Sequence, residues 1–119
     1  MDKKTIVIGA SPNPERYAYK AVQLLQEHGH TVIALGKTEG VIGELLIDIS
    51  RPSVRADTIS LYINPQHQTD WYSYILSVQP SRLIFNPGTE NPELVALANS
   101  HGIDCLDACT VVMLNTRQY

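Results

Sequence analysis

The residues best suited to chemistry stand where a strand-like run, Thr5-Ile6-Val7-Ile8, gives way to the polar loop Gly9-Ala10-Ser11-Pro12-Asn13-Pro14-Glu15-Arg16. A glycine directly after a strand lets backbone come close to a ligand, and amides following it ahead of a helix N-terminus face outward. Together with the helix dipole they favour an anion such as a phosphate. The side chains of Ser11 and Asn13 add hydrogen-bonding groups, and Arg16 either reaches a phosphate from the first helical turn or stays solvated. A tight βα turn with a cap would use the same residues, but after a first strand anion binding is the stronger reading. The dinucleotide fingerprint G-x-G-x-x-G is not met, because its later glycines would fall at Ser11 and Pro14. A second strand-like run ends in Leu35-Gly36-Lys37, where an NAD site would place Asp or Glu for the ribose diol. A cation there suits a phosphate on the ribose, although Glu39 nearby keeps the NAD reading open.

The remaining reactive side chains weigh less. His28 and His101 each precede the glycine that ends a helical stretch, where an imidazole complements the helix C-terminus and capping outweighs catalysis. His28 and His30 flank a turn at the sheet end opposite the expected site and are not read as a metal pair. His67 lies on the ligand side and is the one histidine kept as a weaker candidate. Cys105 is read as core. Cys109 follows the last strand and borders the expected cleft, but no basic neighbour would stabilise a thiolate, so an inert thiol is expected. Trp71 and the tyrosines at helical spacing are read as core rather than as stacking platforms. No Ser-His-Asp set, carboxylate pair or metal cluster emerges, so neither an enzyme nor a metal site is expected.

Positioning the first loop requires alternating strands and helices. Ala18, Ala21, Val22 and Leu25 recur at helical spacing over about residues 15–28, and Gly29 closes that helix. Thr31–Leu35 reads as a second buried strand, 36–43 as loop, and Leu45–Ile49 as a short strand. Thr58–Ile63 is a third confident strand, followed by a helix over Gln66–Val78 that Pro80 stops. Arg82–Phe85 is a strand and Asn86-Pro87-Gly88 a sharp turn. Asn91 caps a helix with Pro92 in its first position, and Gly102 ends it. Ile103–Leu106 is the last strand, with a short helix or turn over 108–115. Strands joined by crossover helices make a parallel sheet. The expectation is one Rossmann-like, doubly wound α/β domain over residues 1–119, with a mainly parallel sheet of five or six strands.

Composition agrees with a folded domain and excludes several functions. Of 119 residues 44% are hydrophobic, enough for a core, while 18% are charged, too few for charge-driven disorder. A net charge of −3 argues against a nucleic-acid or membrane-surface binder. No apolar run approaches a membrane span, and Met1-Asp2-Lys3-Lys4 leads straight into a strand-like run, so no leader is expected. Two cysteines make neither a disulfide framework nor a structural zinc site, and free thiols point to the cytoplasm.

The opening Ile6-Val7-Ile8-Gly9-Ala10-Ser11-Pro12-Asn13-Pro14-Glu15-Arg16 resembles that of small bacterial and archaeal CoA-binding proteins. These are similar to the N-terminal CoA-binding domain of the succinyl-CoA synthetase α subunit. The resemblance continues through Glu27-His28-Gly29-His30-Thr31-Val32-Ile33 and resumes at Ile42-Gly43-Glu44, Asn64-Pro65 and Asp107-Ala108-Cys109. It implies a Rossmann-like domain that binds coenzyme A, with Gly9, Ala10, Ser11 and Asn13 at the pyrophosphate. Lys37 would meet the ribose phosphate, and Asn64 and Pro65 would flank the adenine. The chain departs from the family at Ala34-Leu35-Gly36-Lys37, where Pro-x-Asn-Pro is usual, at Asn64, where an Arg often precedes the proline, and at Asn86-Pro87-Gly88-Thr89. The ligase relatives keep their phosphorylated histidine and nucleotide-binding domain outside the CoA domain. The expected ligand is therefore CoA or an acyl-CoA, bound without catalysis, with a homodimer or a partner protein left open. A small NADP-dependent oxidoreductase and a scaffold subunit are the alternatives.

Overall fold

An unbroken apolar strand is stable only where both of its faces are covered, which places the run at Thr5–Ile8 in the middle of a layered structure. The computed structural model describes residues 1–119 and bears this out. In chain order the elements are β1 (Thr5–Ile8), α1 (Tyr17–Glu27), β2 (Val32–Leu35), the short pair β3 (Val41–Ile42) and β4 (Leu45–Leu46), β5 (Thr58–Leu61), and α2 (Pro65–Gln68). A 3-10 turn (Thr69–Trp71) leads into α3 (Tyr72–Val78), followed by β6 (Arg82–Phe85), α4 (Pro92–Ser100), β7 (Asp104–Asp107) and α5 (Thr110–Asn115). The main sheet has five strands in the order β2-β1-β5-β6-β7, all parallel. Thr5 stands opposite both Val32 and Thr58, so β1 and β5 form the centre.

Side chains alternate across a strand, and two separate core layers result. Ile6 and Ile8 face Ile75 and Val78 of α3 and Leu94 and Ala98 of α4. Val7 faces the other way, onto Ala18, Val22 and Leu25 of α1 and Leu114 of α5. The apolar stripe read from α1 is therefore its buried face. The expected caps form as well. Asn91 Oδ1 accepts from the amides of Glu93 and Leu94 at 3.2 and 3.4 Å, and Pro92 opens α4. His101 follows the last turn of α4, its Nδ1 3.0 Å from the Leu97 carbonyl.

Three stretches differ from expectation. The helix expected over Gln66–Val78 forms but tightens into a 3-10 turn at Thr69–Trp71, just after Gln68, which is fully buried. Its Nε2 donates to the carbonyls of Ile63 and Thr89 at 3.0 and 2.7 Å, and its Oε1 accepts from Asn91 Nδ2 at 2.9 Å. A buried amide is stable only when satisfied in this way, and here it ties the start of the helical stretch to the loop before α4. The strand expected over Leu45–Ile49 is instead half of a hairpin, in which Val41 and Ile42 pair with Leu46 and Leu45. Its extension continues to Asp48, which bridges Leu35 beside the edge of β2. Cys105 is half-buried rather than core, because β7 is an edge strand with exposed ends.

At the opposite edge of the layers, Tyr119 closes the amino ends of the strands. Its hydroxyl shares a hydrogen bond with Thr5 Oγ1 (2.5 Å), its carbonyl accepts from Lys3 Nζ (2.6 Å), and the Arg82 guanidinium lies 4.2 Å from its ring centre. No helix is long and apolar enough to cross a membrane.

Candidate functional site

From β1 the chain passes to β2 on one side and later to β5 on the other, so the loops after β1 and β5 diverge. A crevice forms where they part, at the carboxyl ends of the strands. It is a cleft of about 1340 Å³, bordered by the loops that follow β1, β2, β5, β6 and β7. Of the residues expected there, Gly9, Ala10, Ser11, Arg16, Lys37 and Asn64 border it. Asn13 and Pro65 do not, and both shape the backbone beneath. The Asn13 amide donates to Ser11 Oγ (3.1 Å), its Oδ1 accepts from the Glu15 amide (3.0 Å), and its carbonyl accepts from the Arg16 amide (3.1 Å). Pro65 opens α2 while Asn64 Oδ1 caps it, accepting from the Gln66 amide at 3.0 Å.

The first loop reaches the cleft differently from the expectation of outward-facing amides. The amides of Gly9 and Ala10 both donate to the Leu35 carbonyl, each at 2.9 Å. Gly9 is needed for internal reasons: its φ is +98°, and a Cβ there would come within 2.9 Å of Tyr62 backbone. The donors left over stand further on. The amides of Ser11, Tyr17 and Ala18 have no acceptor in the chain, and Arg16, at the cap position of α1, provides no side-chain cap. An uncapped helix start facing a cleft presents the positive end of the helix dipole to whatever enters. Arg16 and Lys37 are exposed beside it.

The far wall is built by residues that sequence reasoning had placed there, His67 and Cys109, and by others it had not assigned to the site. Asn86, read as the start of a turn on the ligand side but given no role, is fully buried at the floor. Its Nδ2 donates to Ser60 Oγ and the Leu61 carbonyl, both at 2.8 Å, and its Oδ1 accepts from the Thr110 amide at 2.8 Å. Ser60 and Thr110 share a hydrogen bond of 2.8 Å, so one amide side chain ties the ends of β5 and β6 to the start of α5. Tyr62 borders the cleft with its hydroxyl buried and unpartnered. Burial, reinforced by the nearby Cys109 thiol, pushes its pKa well up, so the phenol stays protonated. Cys109 borders the cleft, half-buried and free. Trp71 packs against the core as expected and also borders the cleft, as do Asp70, His67 and Arg51. The Arg51 guanidinium carbon lies 3.8 Å from the Trp71 ring centre, and its Nη1 donates to the Asp70 carbonyl at 2.6 Å. No three His, Cys, Asp or Glu side chains gather where they could hold a metal ion.

Known proteins share this fold to different depths. A crystal structure of an uncharacterized protein is 45% identical, superposes with a TM-score of 0.97, and covers 100% of this chain and 99% of its own. A version of the PH1109 protein redesigned for binding is 22% identical, with a TM-score of 0.85 over 98% of this chain and 84% of its own. The cell-free protein ID.343 from Thermus thermophilus, also 22% identical, gives 0.80 over 98% of this chain and 91% of its own. These last two show the fold alone. No curated protein matches the chain. The family model of the CoA binding domain matches residues 3–115, nearly every residue that builds the sheet and its cleft, and the chain belongs to that family.

Proposed function

We propose that the chain binds coenzyme A or an acyl-CoA in this cleft, without catalytic machinery of its own. The observation that carries the reading is the group of free donors where the loops diverge. The amides of Ser11, Tyr17 and Ala18 and the side chains of Arg16 and Lys37 border one cleft at the ends of β1 and β2. Such donors suit a pyrophosphate at the start of α1 and a phosphorylated ribose beside β2. Gly9 and Ala10 contribute the shape of the loop, Asn13 its turns, and Asn64 the wall against an adenine, with Pro65 setting the backbone behind it. The volume, about 1340 Å³, suits a ligand larger than a drug-sized one, which needs roughly 300–1,000 Å³. Two free thiols fit a protein of the reducing cytoplasm.

The test is the thermal midpoint with CoA, NAD and NADP at equal concentration. A ligand that binds only the folded state stabilises it by about 2.7 kcal/mol at one hundred times its dissociation constant. CoA should raise the midpoint while NAD leaves it unchanged. A clear shift with NAD or NADP and none with CoA overturns the reading in favour of an oxidoreductase.

A further inference from the structure

We propose that Arg51, held over the Trp71 ring, recognises a phosphomonoester on the ribose of the bound ligand. The proposal rests on reading the cleft as a CoA site, although the same chemistry would serve the 2′-phosphate of NADP. Arg51 is exposed, yet it is braced on every side. The bridge from Leu35 to Asp48, with the Gly36 amide on the Asp48 carbonyl at 3.1 Å, fixes the chain beside the end of β2. Asp48 Oδ1 accepts from the Ser50 amide and hydroxyl at 2.7 and 2.6 Å, and the Pro52 carbonyl accepts from Tyr74 Oη at 2.9 Å. The backbone is thus pinned on both sides of Arg51. Its side chain is pinned by the Trp71 ring at 3.8 Å and the Asp70 carbonyl at 2.6 Å.

A long exposed cation is ordinarily free to sample many rotamers, and ordering it opposes any later contact. Here one hydrogen bond and one ring contact already supply part of that ordering. A guanidinium has five N–H donors, of which the chain engages one, and Arg51 has no carboxylate partner within ion-pair distance. The unneutralised fork borders the same cleft as Lys37, beside the end of β2, where this class of fold holds an adenosine ribose. Planar and charged, it matches a phosphate better than a free ammonium does.

Trp71 is the single tryptophan of the chain, so intrinsic fluorescence reports directly on the group that holds Arg51. Wild type, Arg51→Ala and Arg51→Gln are titrated with CoA, dephospho-CoA, NADP and NAD, followed by fluorescence and by calorimetry. Arg51→Gln removes the charge while keeping a polar side chain, and Arg51→Ala removes both. Wild type should bind CoA about tenfold or more tighter than dephospho-CoA, as expected for one charge-assisted phosphate contact. Both variants should cut that ratio to about threefold or less while binding dephospho-CoA almost as wild type does. A ratio that survives in the variants, or equal weakening of both ligands, overturns the proposal and leaves the CoA reading standing. An Arg51-dependent preference for NADP over NAD, with no CoA binding, supports the role of Arg51 and overturns the CoA reading. Binding of none of the four overturns both.

Discussion

Gly9 and Tyr62 touch backbone to backbone: a Cβ built on Gly9 would lie 2.9 Å from both the carbonyl carbon and the carbonyl oxygen of Tyr62. The first loop therefore enters the cleft by crossing directly over the end of β5. Together with the positive φ, this makes Gly9 a residue of the scaffold first. Gly9→Ala should destabilise by at least about 1–3 kcal/mol from backbone strain alone, with the clash in addition. Thermal unfolding checks it, and an unchanged midpoint would show that the two loops can move apart freely. Loss of ligand in such a variant says nothing about phosphate contact until folding has been measured.

Asn86 is the second scaffold residue. Asn86→Ala strands the Thr110 amide and the Leu61 carbonyl without partners, each worth about 1–3 kcal/mol when left buried. Asn86→Asp keeps the shape but turns a donor into an acceptor facing the Leu61 carbonyl. Its carboxyl should hold its proton above the ordinary carboxylate range, so stability present at low pH should fall as pH rises through that range. Denaturant melts of both variants between pH 4 and 8 would show whether the floor depends on this one amide; pH-independent melts for Asn86→Asp would show that it does not.

His30 gives the wild-type protein its own acid sensitivity. Burial lowers its pKa, partly opposed by Asp2, and its Nδ1 accepts the Lys3 amide at 2.9 Å. A proton on Nδ1 would meet that donor head on. Because the folded pKa lies below the unfolded value near 6.5, the unfolded chain takes up the proton first as pH falls. Stability should hold above about pH 6.5 and decline below it, levelling once pH passes the folded pKa. His30→Gln, whose side chain can accept the same amide, should flatten that limb; an unaltered limb assigns the acid sensitivity to other groups.

Lys37 is exposed and unbraced, unlike Arg51. Lys37→Ala should weaken CoA by about 1 kcal/mol or less, as for an exposed ion pair, and the loss should shrink as salt rises. Part of the preference for CoA over dephospho-CoA should remain. Calorimetry at two salt concentrations decides it, and a complete loss of preference would make Lys37 the sole anchor.

Much of the fold was legible because its signals are local. The apolar stripe of α1, the Asn91-Pro92 start of α4 and the glycines after His28 and His101 each depend on a few neighbouring residues. What stayed hidden depends on contacts between distant ones. Nothing near Gln68 in sequence announces that its amide will be buried and bond to Thr89 and Asn91. The hairpin of Val41–Leu46 has two residues per strand, too short for alternation to register. In the site, the polar loop after β1 was visible, but the direction of its amides was not, because Leu35 decides it. Arg51 stood in a Pro-Ser break, and only the return of the chain through Asp70 and Trp71 gives it a place in the cleft.

The central position of β1 has a consequence for synthesis on the ribosome. Its partners on both sides, β2 and β5, are made after it, so Thr5–Ile8 emerges with neither edge paired and neither face covered. The nascent chain must carry this apolar, β-branched run until Leu61 has left the exit tunnel. Every strand pairing of the main sheet is between distant segments, which makes for slow folding and a long exposure. Early termination anywhere before Thr58 would release a fragment whose most adhesive segment has lost at least one of its two partners for good, the kind of species that aggregates or is captured by a chaperone.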